Sequence, residues 1–400
     1  MLDFEPTPAQ KNLQEMVHWF AANRVRPLAL DADRTGKYPD DFLRELRTIA
    51  GSQGMMGEGE TDKPQTREPK GESQRNRTAV LLAEEIAWGD PAVLPSIPGA
   101  GLGAPPVAAT GTPEQKERFF GMFKDTSEPR YGAYGLSEPG AGSDVANITT
   151  TAVRDGDFYV LNGTKCFITN GARAVWVVVF ATVDKNLGRA GHRAFVVEKG
   201  TPGFRVGRIE KKMGLHAQET AELVFEDCRV HRDNLLGGEA YYEHKGSAGF
   251  KIAMAFFDTT RPMVGILAVG IARAAYEIAR DWVCEKYGNS LLPEHILAQD
   301  RLARMQREIR AARLLCWKAT WMADLGRPNS KEASMSKAYA GTIATRVCSD
   351  AVELLGTDGL EHEHMVEKLF RDVKVFDIFE GTGQIQRVVV SRRIFEQIGA

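Results

Sequence analysis

The chain has no excess of either charge: its 400 residues carry 51 Lys and Arg against 53 Asp and Glu, and the basic residues are scattered. That balance leaves no electrostatic footprint for nucleic acid or an anionic membrane surface. Cysteine is also sparse. Cys166, Cys228, Cys284, Cys316 and Cys348 are odd in number, far apart and without close pairing or His-rich spacing, so neither a disulfide framework nor a metal site is expected. Reduced thiols in a cytoplasm are the simplest account. Long apolar runs are missing too: the longest, Val175 to Val183, is too short to span a bilayer, and Met1-Leu2-Asp3-Phe4-Glu5-Pro6 has no basic flank or apolar signal core. The expectation is a cytoplasmic protein that binds no membrane, no nucleic acid and no metal.

What the chain does have is core-forming material. A hydrophobic content of 43% over this length suffices for two or three domains. From Thr7 to about Lys124 the pattern is helical. Thr7-Pro8-Ala9-Gln10 reads as an N-cap, a first-position proline and a capping-box partner, with Leu13, Met16, Val17 and Phe20 at helical spacing. Gly57 to Arg77 has almost no apolar residue and reads as a solvated loop. Beyond Glu128 the period shortens. Phe158 to Leu161 before Asn162-Gly163, Lys165 to Thr169 before Asn170-Gly171, Val175 to Val183, Arg193 to Val197 and Leu223 to Phe225 read as strands with turn signals between them. After about Ser247 long helical patterns return, with Leu302, Met305 and Ile309 on one face and Ala340, Ile343, Ala344, Val347 and Ala351 on another. The resulting expectation is an α+β, mostly α, fold: a helical domain over residues 1–130, a β-domain over 131–243 and a helical bundle over 244–400.

Two segments could carry chemistry. Glu138-Pro139-Gly140-Ala141-Gly142-Ser143-Asp144 can bring backbone N–H groups close to a flat or anionic ligand, though glycine-rich turns are commonly only turns. It is no P-loop, lacking Gly-Lys-Ser/Thr, and its surroundings are not the βαβ unit of a nicotinamide site. Asp377-Ile378-Phe379-Glu380-Gly381-Thr382-Gly383-Gln384 sets one carboxylate between an apolar run and a glycine. Such a residue is either a catalytic base or part of a turn or helix cap.

Together with Tyr134-Gly135-Leu136-Ser137, Phe167-Ile168-Thr169, Phe257-Asp258-Thr259-Thr260-Arg261-Pro262 and Arg371-Asp372, these segments make a pattern that resembles the acyl-CoA dehydrogenase family from about Thr7 to the C-terminus. The resemblance implies three domains ending in a four-helix bundle, FAD as cofactor, an acyl-CoA substrate and an electron-transfer flavoprotein as acceptor. It also implies a homotetramer built as a dimer of dimers. It assigns Glu380 as the base that removes the α-proton of a saturated acyl-CoA while hydride leaves Cβ for flavin N5, giving a trans-2-enoyl-CoA. Tyr134, Leu136, Ser137, Gly142 and Ser143 would lie along FAD, and Phe167, Ile168 and Thr169 would cover its ring, with Ser137 and Thr169 as hydrogen-bond partners. Thr382 and Gln384 join that set, as do Glu353, Gly356 and Thr357 across a subunit boundary. Ser143, Asp258, Arg261 and Gly381 would meet the CoA substrate. Some family members carry the base just before the arginine matching Arg261. Here that residue is Thr260, which cannot act as one, so Glu380 stands alone. Gly99, Ala100, Gly101 and Gly103 open a helix that lines the family's pocket, or they serve close packing.

The chain departs from the family where FAD crosses between subunits. The family's Arg-x-x-Phe-Gly becomes Cys284-Glu285-Lys286-Tyr287-Gly288, and the Gln of Gln-x-x-Gly-Gly becomes Glu353. An acid beside a diphosphate is repulsive unless it points away or pairs with a base such as Lys286 or Lys368. These losses keep two alternatives open: an FAD-poor partner subunit of a hetero-oligomer, and a flavin oxidase or monooxygenase on the same fold. With Cys284 in place of the arginine, FAD is expected to be held about ten- to a hundredfold less tightly than with the arginine restored. Titration of apo-protein with FAD checks this: Cys284→Arg should tighten binding, and an unchanged affinity would show that another cation serves the pyrophosphate.

Overall fold

A computed structural model describes residues 4–52, 73–243, 247, 249–250, 257–288 and 293–399. Helix α1 (Pro8–Phe20) starts with the anticipated capping box: Thr7 Oγ1 accepts from Gln10 N, and the Gln10 side chain accepts from Thr7 N at 2.9 Å. Pro27 has no N–H to give, and the ladder widens to a π turn over Ala21–Val25 before α2 (Arg26–Thr35). The helices α3 (Asp40–Ser52), α4 (Arg75–Gly89), α5 (Val93–Ser96), α6 (Ala104–Thr110) and α7 (Pro113–Gly121) follow.

Next come β1 (Tyr131–Gly135), β2 (Thr151–Asp155), β3 (Phe158–Thr169), β4 (Ala174–Thr182), β5 (His192–Glu198), β6 (Phe204–Ile209) and β7 (Thr220–His231). They form one seven-stranded sheet in the order β1-β4-β2-β3-β7-β6, with β5 also paired to β4. The last third holds α8 (Glu239–Glu243), α9 (Phe257–Tyr287), α10 (Pro293–Asp324), α11 (Ser330–Leu355), α12 (Met365–Val373) and α13 (Gly383–Ile398). The architecture is thus helices, a central sheet and a helical bundle, as anticipated.

Three local readings need correction. Asn162-Gly163 is not a turn: β3 runs through it, its pairing with β7 shifts register there, and a Cβ on Gly163 would stand 2.5 Å from Thr150 Oγ1. The polar segment ending at Arg77 lies mostly outside the described residues, but its last three residues belong to α4. Asp324, at the end of α10, accepts from Asn76 N at 2.8 Å and from Arg77 N at 3.2 Å, and pairs with Arg77 Nε at 3.0 Å. A helix start capped from so distant a residue leaves no local sequence signal. Finally, Thr260–Tyr287 is long and apolar enough to cross a membrane by length and composition, which a search for unbroken apolar runs missed. This helix, α9, is the centre of the bundle, packed against α4, α10 and α11.

Two cores hold the molecule together. One joins α2–α4 to the C-terminal bundle through residues such as Val25, Phe42, Val80, Ile271, Met305 and Val347. The other lies in the sheet and takes Phe119, Phe120 and Phe123 from the end of the N-terminal segment, with Phe119 and Phe123 set edge-on against Trp176. Gly103 belongs to this packing, since a Cβ there would come within 2.4 Å of the Trp176 ring. Helix α4 is buried almost all round, and its Glu84 and Glu85 are met by Arg273 and Arg313 from the bundle.

All three parts meet at a buried ion cluster. Lys368 Nζ lies 2.9 Å from Asp90 Oδ1 and 2.5 Å from Asp372 Oδ2; Tyr38 Oη donates to Asp90 at 2.6 Å and Leu215 N to Asp372 at 2.6 Å. Beside it Arg371 bridges Glu367 and Asp33. Burial opposes the Lys368 charge, but the two carboxylates outweigh it and push its pKa up. Replacing Lys368 with Met would leave two buried carboxylates facing each other, and is expected to cost about 3–5 kcal/mol. A thermal or denaturant midpoint equal to that of the wild type would contradict it.

Candidate active site

The glycine-rich segment after β1 is fixed from beneath by a buried ion pair. Lys165 Nζ reaches Glu138 Oε1 at 2.7 Å and the Leu136 carbonyl at 3.1 Å, and Glu138 also accepts from the N–H groups of Thr149 and Thr150. Burial pushes the Glu138 carboxyl up, but the Lys165 ammonium and these hydrogen bonds prevail and hold it at about 2. Ser137 is tied through its carbonyl, which accepts from Cys166 N at 2.9 Å. Above this anchor the segment is open. A Cβ on Gly140 or Gly142 would meet no protein atom within 4 Å, so packing does not demand either glycine, and Ser143 is exposed beside them.

Across from it, β3 changes register between Lys165 and Ile168, and within that bulge Phe167 takes a φ of +56° with 65% of its surface exposed. Large aromatic side chains at left-handed backbone are rare. Thr169 Oγ1 accepts from Gln218 Nε2 at 2.9 Å, and the Gln218 Oε1 atom is buried without a partner. Ile168 does not share this face: its side chain is buried in the sheet core, as is that of Leu136, so only their backbones could meet a ligand. An exposed aromatic, open glycines and an orphaned amide oxygen fit the wall of a flat, polar-edged cofactor such as FAD.

Glu380 sits between α12 and α13 with a φ of +53°, followed by Gly381 at +93°. The position is strained for any residue with a side chain, at a cost on the order of 1–3 kcal/mol. The surroundings fix it. Buried Gln386 donates through Nε2 to the carbonyls of Glu380 at 3.2 Å and Gly381 at 3.1 Å, and Lys337 Nζ donates to the Gly381 carbonyl at 2.7 Å. A Cβ on Gly381 would stand 2.4 Å from Gln386 Nε2. Thr382 caps α13, its hydroxyl oxygen accepting from Ile385 N at 3.3 Å, which leaves the hydroxyl proton for another partner. Gln384 is exposed in the first turn.

The Glu380 carboxyl is desolvated, and burial raises its pKa against the opposing pull of a Thr260 hydrogen bond, Lys337 and Arg261. Its Oε2 atom is buried with no hydrogen-bond partner. A buried carboxylate oxygen left unpaired is costly and unusual, and here it is free to accept a proton from a bound molecule. Tyr134 reaches the same place from β1: burial and then the Glu380 charge push its pKa up. Arg261 Nη1 pairs with Asp258 at 2.8 Å and touches Ser334 Oγ at 3.4 Å.

Glu353, Gly356 and Thr357 are not part of this constellation within one chain. Lys337 and Glu353 share α11 and lie about 24 Å apart along it at about 1.5 Å per residue. Glu353 pairs with Arg301 at 2.9 Å, not with Lys286 or Lys368. Lys286 lies over the Trp282 ring, 4.1 Å from its centroid, and Lys368 is committed to the buried cluster. Sequence reasoning missed Lys337, Gln386, Gln218 and the Glu138–Lys165 pair, and set Thr260 aside although it supports the carboxylate. A lysine on the otherwise small-residue face Ala333, Ser334, Ala340 and Gly341 was the one available signal.

Comparison with known proteins agrees along the whole chain. Family models described as the acyl-CoA dehydrogenase N-terminal, middle and C-terminal domains match residues 7–123, 133–228 and 247–395. The chain is 36% identical to the short-chain-specific acyl-CoA dehydrogenase of Clostridium acetobutylicum, over 98% of this chain and 100% of that one. The solved butyryl-CoA dehydrogenase of Megasphaera elsdenii superimposes with a TM-score of 0.85 at 34% identity, covering 98% of this chain and 100% of its own. A chain from a structural study of the electron transferring flavoprotein of Acidaminococcus fermentans, concerned with flavin-based electron bifurcation, has a TM-score of 0.82 at 36% identity and 98% and 99% coverage.

Proposed function

Since the chain belongs to the acyl-CoA dehydrogenase family and is an FAD-dependent oxidoreductase acting on acyl-CoA, we propose that it converts a saturated acyl-CoA to the trans-2-enoyl-CoA with Glu380 as the base. The observation that carries the reading is the Glu380 carboxylate itself: desolvated, held at left-handed backbone, and with one oxygen unpaired. Desolvation raises its proton affinity toward what abstraction from a weakly acidic Cα requires. The Thr260 hydroxyl also supports the carboxylate, favouring its ionised form. Lys337 and Gln386 hold the carbonyls of Glu380 and Gly381 and so fix the turn that carries the carboxylate, while the Glu380 N–H would polarise the thioester carbonyl.

Bound FAD supplies the acceptor for the hydride that leaves Cβ. Phe167, Thr169 and the open segment from Ser137 to Ser143 are the residues that would hold it, with Glu353, Gly356 and Thr357 serving a neighbouring subunit's cofactor. Arg261, oriented by Asp258, would meet the CoA portion. The names of the relatives make short-chain acyl-CoAs the first substrates to try and an electron-transfer flavoprotein the acceptor. The pairing of Glu353 with Arg301 weakens the case for an FAD-poor subunit, because that acid is already compensated.

Glu380→Gln is expected to abolish flavin bleaching by acyl-CoA while leaving CoA-ester binding in place, a loss of at least about 10²–10⁴-fold. In the wild type, activity should fall as pH drops through the raised pKa of Glu380, because only the ionised base works. Rapid-mixing absorbance across pH reads both; near-normal turnover in the variant would sink the assignment. The separation of Glu353 from Glu380 also implies an FAD site completed by a second copy, so sedimentation should find a dimer or a tetramer built as a dimer of dimers. A monomer that retains FAD would contradict this.

A further inference from the structure

Lys337 is fully buried on α11, and its ammonium is directed at a peptide carbonyl, Gly381 O, while the two carboxylates nearest in charge, Asp377 and Glu380, flank it on the facing turn. The approach is close: a Cβ on Gly341, one helical turn beyond Lys337, would stand 3.0 Å from Asp377 Cα. Holding the Gly381 carbonyl does not by itself require a charge, because the neutral amide of Gln386 already donates to it at 3.1 Å. Burying an ammonium is costly unless its charge is matched, and both candidate partners lie on the turn that carries Glu380. Burial lowers the Lys337 pKa to about 8, against the opposing pull of Asp377 and Glu380, so the lysine remains charged at neutral pH.

We propose that Lys337 is a positioning residue for the base: it fixes the Gly381–Thr382 peptide of the Glu380 turn and supplies the positive charge against which the Glu380 carboxylate ionises. The proposal rests on Glu380 being that base. The groups facing Glu380 are Thr260 and Arg261 from α9, Lys337 from α11 and Tyr134 from β1; those facing Lys337 are Asp377, Glu380 and Arg261. Arg261 is already engaged by Asp258, so Lys337 is the cation that no carboxylate binds directly. Removing its charge favours neutral Glu380, and the acid limb of the reaction moves to higher pH. A lysine that only braced the fold would lower activity evenly and leave the limb in place.

The test uses the FAD-loaded protein with a short-chain acyl-CoA, following flavin bleaching against pH in the wild type, Lys337→Met, Lys337→Gln and Lys337→Arg. The Glu380 carboxyl is titrated separately by infrared difference spectroscopy without substrate. Lys337→Met should raise the acid limb and the carboxyl titration together by about one pH unit. Lys337→Gln should do the same, and Lys337→Arg should return both toward the wild type. If Lys337→Met does not fold, Lys337→Gln, which keeps a donor for the Gly381 carbonyl but carries no charge, takes over the test, and an unmoved or lowered limb there overturns the proposal. An unmoved limb in a folded Lys337→Met overturns it as well. Glu380→Gln, run alongside, separates the two levels: turnover retained in that variant removes the base assignment itself, whereas lost turnover with an unmoved Lys337→Met limb removes only the role given to the lysine.

Discussion

Lys368 lies out of solvent between Asp90 and Asp372, and every large part of the molecule is tied to that one ammonium. Asp90 ends α4 and receives Tyr38, Asp372 belongs to α12 and receives the N–H of Leu215 from the segment between β6 and β7. A single cation thus fixes the N-terminal helices, the sheet domain and the bundle at one point. Apolar burial supplies most of the stability, but it is non-directional. The ion cluster has a geometry, and it determines where the sheet's bulged edge and the Glu380 turn stand relative to the rest. Its position one turn before the segment that leads to Glu380 couples the architecture to the site.

The left-handed Glu380 is stable only because its neighbours over-determine it. Two separate donors, Lys337 from α11 and Gln386 from α13, converge on adjacent carbonyls, and a glycine next in sequence leaves room for them. The strain points the carboxylate toward Thr260 and Tyr134, away from the bulk solvent it would otherwise seek. Phe167 on β3 follows the same logic, an aromatic ring held at an unfavourable backbone angle by a register shift. Both residues give up local comfort for a fixed direction, a pattern associated with functional sites.

Local features were legible in the sequence and long-range ones were not. Thr7, Pro8 and Gln10 announce α1 because a capping box is complete within four residues, and Glu380 stands out as a lone acid before a glycine. The start of α4 could not be read, because Asp324 caps it from another helix. Asn162-Gly163 misled for a related reason: the pair is a turn signal only where no neighbouring strand claims its backbone, and β7 does. Thr260 was judged by what it cannot do as a base, which concealed what its hydroxyl does as a donor. Lys337 and Gln386 act on backbone carbonyls, and no residue pattern encodes such a contact.

The division of the hydrophobic material has a consequence for how the protein comes into being. Helices α2–α4 share their core with the bundle that follows residue 257, whereas the fully buried residues of the sheet's core all lie between Ala100 and Tyr242. On the ribosome the sheet domain therefore has its own buried core in hand while the earlier-made helices still lack theirs. Their apolar faces must wait for the last third of the chain, and contacts between the two ends are the most distant in sequence that the fold contains. Assembly is thus ordered by supply rather than by position: the middle can close first, and the beginning closes only with the end.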